Sequence, residues 1–433
     1  MTHRPRSETA RSALEGNHGF FALEGASGWE EPVLRGYVQQ IEGLLEVELL
    51  EEVARSGLRG LFEAEESVPK SVAGWLTSGG MLLPTVASVS KRVQIGGSRA
   101  STRTLTARTA LLNVPDPRQA DPVSIGLRYP GLIGWSGMEV EGTQVEVDSS
   151  GRPRKFVITL ESPDSPAVGR ISGGSISVEA HWGTTRAAGA TSVQTALQFT
   201  VRSRTLSLQE IADPLMAIHE LVCLAFNGWV VPTSGHARQA NGQSCKYWNG
   251  NVMWMPTDWP TGDLTKPFFS LSDIGGPRGL ARWIRLVADH PRAVSPVLLP
   301  FEGGRASEEV LVGSCVGVEY WVSANKHRWA GPGLKGYNKL LALVARIGGQ
   351  AWSEIVGDVP RWADAVWGDY SSLKHNPSAP VDPKRVQVLG LSVRLALELA
   401  LLRELAGNQQ VTRRFQEAEA LQGLRHGVEH VLN

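Results

Sequence analysis

Hydrophobic and polar residues alternate in short runs from Phe20 to about Arg204, and each run ends in a cluster of Gly, Pro, Asp or Ser. The runs include PVLRGYVQ from Pro32, LLEVELLEE from Leu44, TRTLTARTALLNV from Thr102, KFVITL from Lys155, SISVEA from Ser175 and TALQFTVRS from Thr195. A period of two places successive side chains on opposite faces, so these runs predict half-buried β-strands. In the last of them Phe199 and Val201 face one way, and Gln198, Thr200 and Arg202 the other. Asp148-Ser-Ser-Gly151 separates QVEV from KFVITL and reads as a hairpin turn. Many short strands with few helices predict a sandwich or barrel-like domain.

The period changes at Ser207. Ser207-Leu-Gln-Glu210 has the form of a capping box. Leu208, Ile211, Leu215, Ile218 and Val222 then recur at helical spacing, with Pro214 inside the run, either as a kink or as a fresh start at Asp213. The segment SGHARQANGQS from Ser234 reads as a loop. The Trp-rich stretch Tyr247 to Trp259 reads as a hairpin turning at Asn249-Gly250, and GLARWIRLVADH as a short helix over 279–290. After Gly304 the pattern is helical almost throughout. Leu311, Cys315, Val318 and Val322 form one apolar stripe; further helices are predicted over about 333–348 and 350–372. Asp382-Pro383 opens another, because Asp caps and Pro is tolerated at the first helical position. Its buried face is Val386, Leu389, Val393, Leu397, Ala400, Leu401 and Leu405. Gly407 supplies the stop, and a charged tail helix covers about 410–430. Helices joined this closely predict a bundle. The fold class is α+β, in four segments: a disordered 1–17, a β-rich 18–205, a linking 206–303 and a helical 304–433.

Composition narrows the function classes. Lys+Arg 43 balances Asp+Glu 43, so the chain is not built as a non-specific polyanion binder, although a local basic patch remains open. Cys223, Cys245 and Cys315 are widely spaced, which argues against a disulfide framework or a zinc site and fits a reducing cytoplasm. The polar start MTHRPRSETARSALEG has no apolar signal core. The apolar stretch Val386–Leu402 carries Arg394 and Glu398, so it predicts a buried helix and no membrane partner. No phosphate loop, dinucleotide fingerprint, zinc-protease helix or serine-hydrolase elbow occurs, and no cofactor or metal is expected. The 14 Trp are expected in cores and interfaces, with the Trp-rich stretch also open as a recognition surface.

Several segments, taken in order, resemble the ApeA-like anti-phage defence proteins over roughly 18–406. They are GFFALEGASGWEEPVLRGYV, DPVSIGLRYPGLIGWSGM (Asp121 to Met138), RTLSLQEIADPLMAIHELVCLAF, FFSLSDIGGPRGLARWIRLVADH from Phe268, and the helix around Glu319. The resemblance implies a β-rich sensing half and a C-terminal HEPN helical bundle that cleaves RNA without a metal, often as a homodimer through the helices. It further implies abortive infection triggered by a phage protein or nucleic acid.

HEPN nucleases pair an Arg with a His, with four to six residues between them. His suits proton transfer near neutral pH, and the planar fork of Arg suits the phosphate. The matching His is His375, in DYSSLKHNPSAPVD, but the residues at the required spacings are Tyr370, Asp369 and Gly368. The nearest upstream arginine, Arg361, is fourteen residues away, about 21 Å along a helix. The expected catalytic group is therefore His375 with Lys374, Tyr370 and Glu319, and the expected RNA contacts are Asn376 and Arg385. Against each stands a plainer reading: a helix-terminal His, a solvated Lys, an Asn-Pro turn, a border Glu. Arg285–His290 and Arg425–His430 also match the spacing but lie outside the expected position. The rival functions are an inert HEPN protein that binds RNA or a partner protein, and a β-sandwich binding module with a helical dimerisation domain.

Overall fold

The computed structural model describes residues 17–25, 27–31, 33–52, 68–93, 100–138, 141–160, 167–187, 190–257, 259–301, 305–326, 334–376, 378, 380–406 and 419–433. The N-terminal segment read as disordered lies outside them, except Asn17, which opens the first strand. The chain is α+β: an antiparallel sheet over about 17–249, then helices to the end. It divides into two compact units, one of 1–131, 172–216 and 231–256, the other of 132–171, 217–230 and 257–433.

In the first unit the strands are β1 (Asn17–Gly25), β2 (Gly28–Trp29), β3 (Leu34–Ile41), β4 (Leu44–Glu52), β5 (Ser71–Leu76), β6 (Gly79–Leu83), β7 (Ser88–Val93), β8 (Ala100–Ala107), β9 (Thr109–Val114) and β10 (Pro122–Pro130). In the second unit β11 (Glu141–Val147) and β12 (Pro153–Leu160) form a separate ladder, and β13 (Ala167–Ile171) follows. The chain returns to the first unit with β14 (Gly174–Ala187), β15 (Ala190–Arg202), β16 (Ser234–Gln239) and β17 (Ser244–Asn249). Hydrogen bonding in that unit runs β14-β15-β10-β16-β17-β9-β6-β5-β1-β3-β4-β8-β7. Alternation decides the register: Val38, Leu45, Val47, Leu49, Leu105 and Ala107 are fully buried on one face, each contributing about 1–3 kcal/mol by leaving water.

The hairpin at Asp148 forms as the residues predict. Asp148 accepts hydrogen bonds from the Ser150 amide and hydroxyl and from the Arg152 amide, and Gly151 adopts a positive φ. Ser234 begins a strand and not a loop. SGHARQ alternates short buried residues with polar ones, and β16 is supported by neighbours on both sides. The predicted hairpin at Asn249-Gly250 is also absent; β17 ends there and a helical turn, Gly250–Met253, follows.

Helix α1 (Leu208–Ala225) carries the predicted box: Ser207 N–H donates to Glu210 at 2.8 Å and the Glu210 amide to Ser207 Oγ at 3.4 Å. Pro214 is accommodated without ending the helix. The second unit continues with α2 (Gly276–Asp289), α3 (Pro291–Leu298), α4 (Ser307–Ala324), α5 (Asn338–Val356), α6 (Val359–His375), α7 (Pro383–Ala406) and α8 (Glu419–Leu432). The stripe Leu311, Cys315, Val318 and Val322 is buried on α4, and the predicted face of α7 is buried along its length. Asp382 caps α7 by accepting from the Lys384 and Arg385 amides. The single helix expected over 350–372 is interrupted. Gly348 (φ 106°) kinks α5, Gly357 (φ 71°) ends it, and Asp358 caps α6 anew through the Arg361 amide. The predicted stop at Gly407 and the start of the tail helix lie outside the described residues.

No helix among the described residues is long and apolar enough to cross a membrane, and no group of three His, Cys, Asp or Glu among them could hold a metal ion.

Candidate functional site

Helices α4, α5 and α6 bring polar side chains together at one point in the helical unit. Glu319 lies on the border of the α4 stripe, half-buried. Tyr370 and Lys374 stand one turn apart on α6, a spacing that puts both on the same face. Tyr370 donates its hydroxyl to Glu319 Oε2 at 3.0 Å, and Lys374 Nζ donates to the Tyr370 oxygen at 3.1 Å. Lys374 Nζ also stands 4.0 Å from Glu319 Oε2, and Lys339 of α5 reaches Glu319 Oε1 at 3.4 Å. The carboxylate is therefore held by a phenol and two ammonium groups from two further helices.

Burial, with the carboxylate of Glu319, raises the Tyr370 phenol above its ordinary value, so it stays protonated and donates. The hydrogen bond to Tyr370, followed by the charge of Glu319, holds the Lys374 ammonium above its ordinary value. The Cys315 thiol, one turn before Glu319 and fully buried, is pushed up chiefly by burial and is chemically inert. Trp367 packs edge-on to Tyr370 at 5.2 Å and fixes the ring that carries the hydroxyl.

The other expected residues are placed differently. His375 is the last residue of α6, exposed, and makes no hydrogen bond or ion pair among the described residues. Asn376 is the C-cap of α6, its amide bonded to the Ser372 carbonyl at 2.7 Å. Arg385 donates through Nε to Asp369 at 2.8 Å and through a terminal nitrogen to the Val431 carbonyl at 3.1 Å, tying α6, α7 and α8. Of the two alternative Arg–His pairs, Arg425 is bonded to Glu429 at 3.2 Å and His290 contacts Tyr320 and Trp321 at the α2–α3 junction. Lys339 was not among the sequence candidates; it sits twenty residues from Glu319 and carries no local motif.

In the Trp-rich stretch, Tyr247 and Trp248 are buried in β17, and burial pushes the Tyr247 phenol up to about 12. Trp259 packs edge-on to Trp229 at 4.6 Å. The Trp259–Trp229 contact is packing.

A family model described as ApeA N-terminal domain 1 matches residues 41–283, more than half of the chain, and ends before the Glu319 cluster. No curated protein and no solved structure matches the chain.

Proposed function

The chain belongs to the ApeA N-terminal domain 1 family, and from that premise we propose that it is an anti-phage defence protein whose helical unit is HEPN-like and acts on RNA as a dimer. The observation that carries the reading is the Glu319–Tyr370–Lys374 cluster, assembled from two helices next to an exposed histidine at a helix end.

The chemistry this arrangement can supply is transesterification by a ribose 2′-hydroxyl. The 2′-oxygen forms a bond to phosphorus, the bond to the 5′-oxygen breaks, and a 2′,3′-cyclic phosphate and a 5′-hydroxyl result. His375 takes or gives the proton, being the unengaged imidazole of the site. Lys374 supplies a point charge to the phosphate, with Tyr370 and Glu319 fixing its ammonium. Asn376 offers an amide beside the same helix end. Arg385 contributes less, since Asp369 and Val431 already engage its guanidinium.

One observation favours the rival reading, an inert protein that binds RNA or a partner. The two cations assigned to the site are already matched, Lys374 with Glu319 and Arg385 with Asp369, and no arginine stands at the expected spacing. The test is phage challenge of cells carrying the wild type or His375→Ala, with RNA integrity followed alongside survival. RNA fragmentation in the wild type and its loss in His375→Ala support cleavage. Protection without fragmentation sinks the nuclease reading and leaves binding.

A further inference from the structure

Four adjacent strands of the sheet, β14, β15, β10 and β16, build a second polar constellation. Their register sets His236 beside Gly126, Gly126 beside Thr200, Arg128 beside Gln198, and Gln198 beside Glu179. His181 and Arg202 follow at two- and four-residue steps, so all of these side chains project from one face. Arg128 donates to Gln198 Oε1 at 3.0 Å and contacts His181 Nδ1 at 3.4 Å. Gln198 donates to Thr200 at 3.0 Å, Arg202 donates to Glu179 at 2.8 Å, and His181 Nε2 lies 4.0 Å from Glu179.

This network is incomplete on the donor side. Arg128 Nε is buried and has no hydrogen-bond partner, and the His236 imidazole makes no hydrogen bond among the described residues. A buried N–H without an acceptor is disfavoured by about 1–3 kcal/mol, so its persistence asks for an explanation. The room for His236 is also built in. A Cβ on Gly126 would stand 2.2 Å from His236 Cε1, so only glycine lets the imidazole lie across that strand. The rim is open to water: the His181 side chain is 36% exposed and that of Arg202 51%.

We propose that this face binds a phosphate group, free or carried by a nucleotide, with Arg128 as the principal contact and His236 and His181 as supporting donors. Three guanidinium groups, of Arg128, Arg202 and Arg238, and the Lys246 ammonium paired with His236 share this face with one carboxylate, Glu179, and the spare hydrogen-bonding capacity is of the type that matches phosphate oxygens. The proton balance agrees. Burial lowers the Arg128 guanidinium below its ordinary value. Burial and then Arg128 lower His181, and burial, Arg128 and His181 lower His236 to about 4, with Glu179 opposing and Arg202 adding to the effect on His236. Both imidazoles are thus neutral in the free protein near pH 7. A bound dianion opposes the cationic pressure on them, so the imidazoles take up protons more readily with phosphate in place. The site stands independently of the reading given to the helical unit.

The experiment is a titration of the full chain with inorganic phosphate, adenosine 5′-monophosphate and adenosine, following the histidine C2–H resonances, with His181→Asn and His236→Asn used for assignment. Saturable shifts of both resonances by phosphate and by the nucleotide, with none from adenosine, are expected. Affinity is expected to rise as pH falls from 8 toward the second ionisation of the phosphate, about pH 6 for a phosphomonoester, below which protonation of the ligand offsets the gain. Arg128→Gln should weaken binding at least about tenfold, the loss of one charge-assisted contact. Arg128→Lys, which keeps the charge and serves if the glutamine variant does not fold, should weaken it by less. Equal affinity for phosphate and nucleotide places recognition in the phosphate alone; tighter nucleotide binding extends it to the sugar and base. Unmoved histidine resonances at millimolar phosphate, adenosine binding as tightly as the nucleotide, or an Arg128→Lys variant that binds like the wild type would overturn the proposal.

Discussion

The Tyr370 hydroxyl bonds the Glu319 carboxylate at 3.0 Å, joining α6 to α4 across 51 positions of sequence while it also accepts from Lys374. Removing one oxygen tests how much this contact holds. Tyr370→Phe keeps the buried ring and is expected to cost about 1 kcal/mol, because a hydrogen bond to a half-buried carboxylate is lost. Glu319→Gln should cost a similar amount. The double variant should cost clearly less than the two together, since the residues share one interaction. Urea unfolding of the three variants measures this, and simple additivity would show that the pair does not act as a unit.

Arg385 separates a structural from a recognition role. Its bonds to Asp369 and to the Val431 carbonyl hold the tail helix α8 on the bundle. Arg385→Ala is expected to speed amide hydrogen exchange across 419–432 and to lower stability by about 1 kcal/mol, the contact being partly exposed to solvent. Unchanged exchange in that helix together with lost phage protection would assign Arg385 to RNA instead.

The ion pair Arg394–Glu398, 2.5 Å apart within α7 and nearly solvent-free, predicts a pH dependence. Burial pushes the Glu398 carboxyl up to about 7, against the pull of Arg394. A folded-state value above the unfolded one means the unfolded chain releases its proton first. Stability from this group is then full below about pH 4.5, falls as pH rises toward 7, and is flat beyond, a total of roughly 3 kcal/mol. Glu398→Gln should flatten the unfolding free energy against pH between 5 and 7. An unchanged slope would show that the carboxyl titrates normally.

The same pair predicts an asymmetry between single and double substitution. Arg394→Met leaves the Glu398 carboxyl buried without its cation and is expected to cost about 3–5 kcal/mol at pH 8. Replacing both by Met and Leu should recover most of that. Calorimetry at pH 8 reads both, and a double variant no better than the single one would refute it.

Much of this fold is legible where the physics is local. The Ser207–Glu210 cap, the Asp148 turn and the Asp382 start each rest on a side chain bonding a backbone amide two to four residues away. The β16 strand is not legible. SGHARQ has almost no strand-favouring side chains, and it is a strand because β10 and β17 offer partners to its backbone. The break at Gly357 is hidden for the opposite reason, as helical periodicity continues through it while one glycine turns the chain. At the site, the Tyr370–Lys374 spacing is readable along one helix. The arrival of Lys339 depends on how α5 packs, which no local pattern encodes.

The order of strands has a consequence for synthesis. β6 pairs with β9, and β10 pairs with β15, but the place between β9 and β10 is filled only by the β16–β17 hairpin. Two half-sheets, each with an open edge, must therefore wait on the ribosome until residue 249 has emerged. At about 5–20 residues per second, that wait after β10 is on the order of ten seconds. For that interval the nascent chain carries two unpaired strand edges, the kind of surface that invites pairing with another chain.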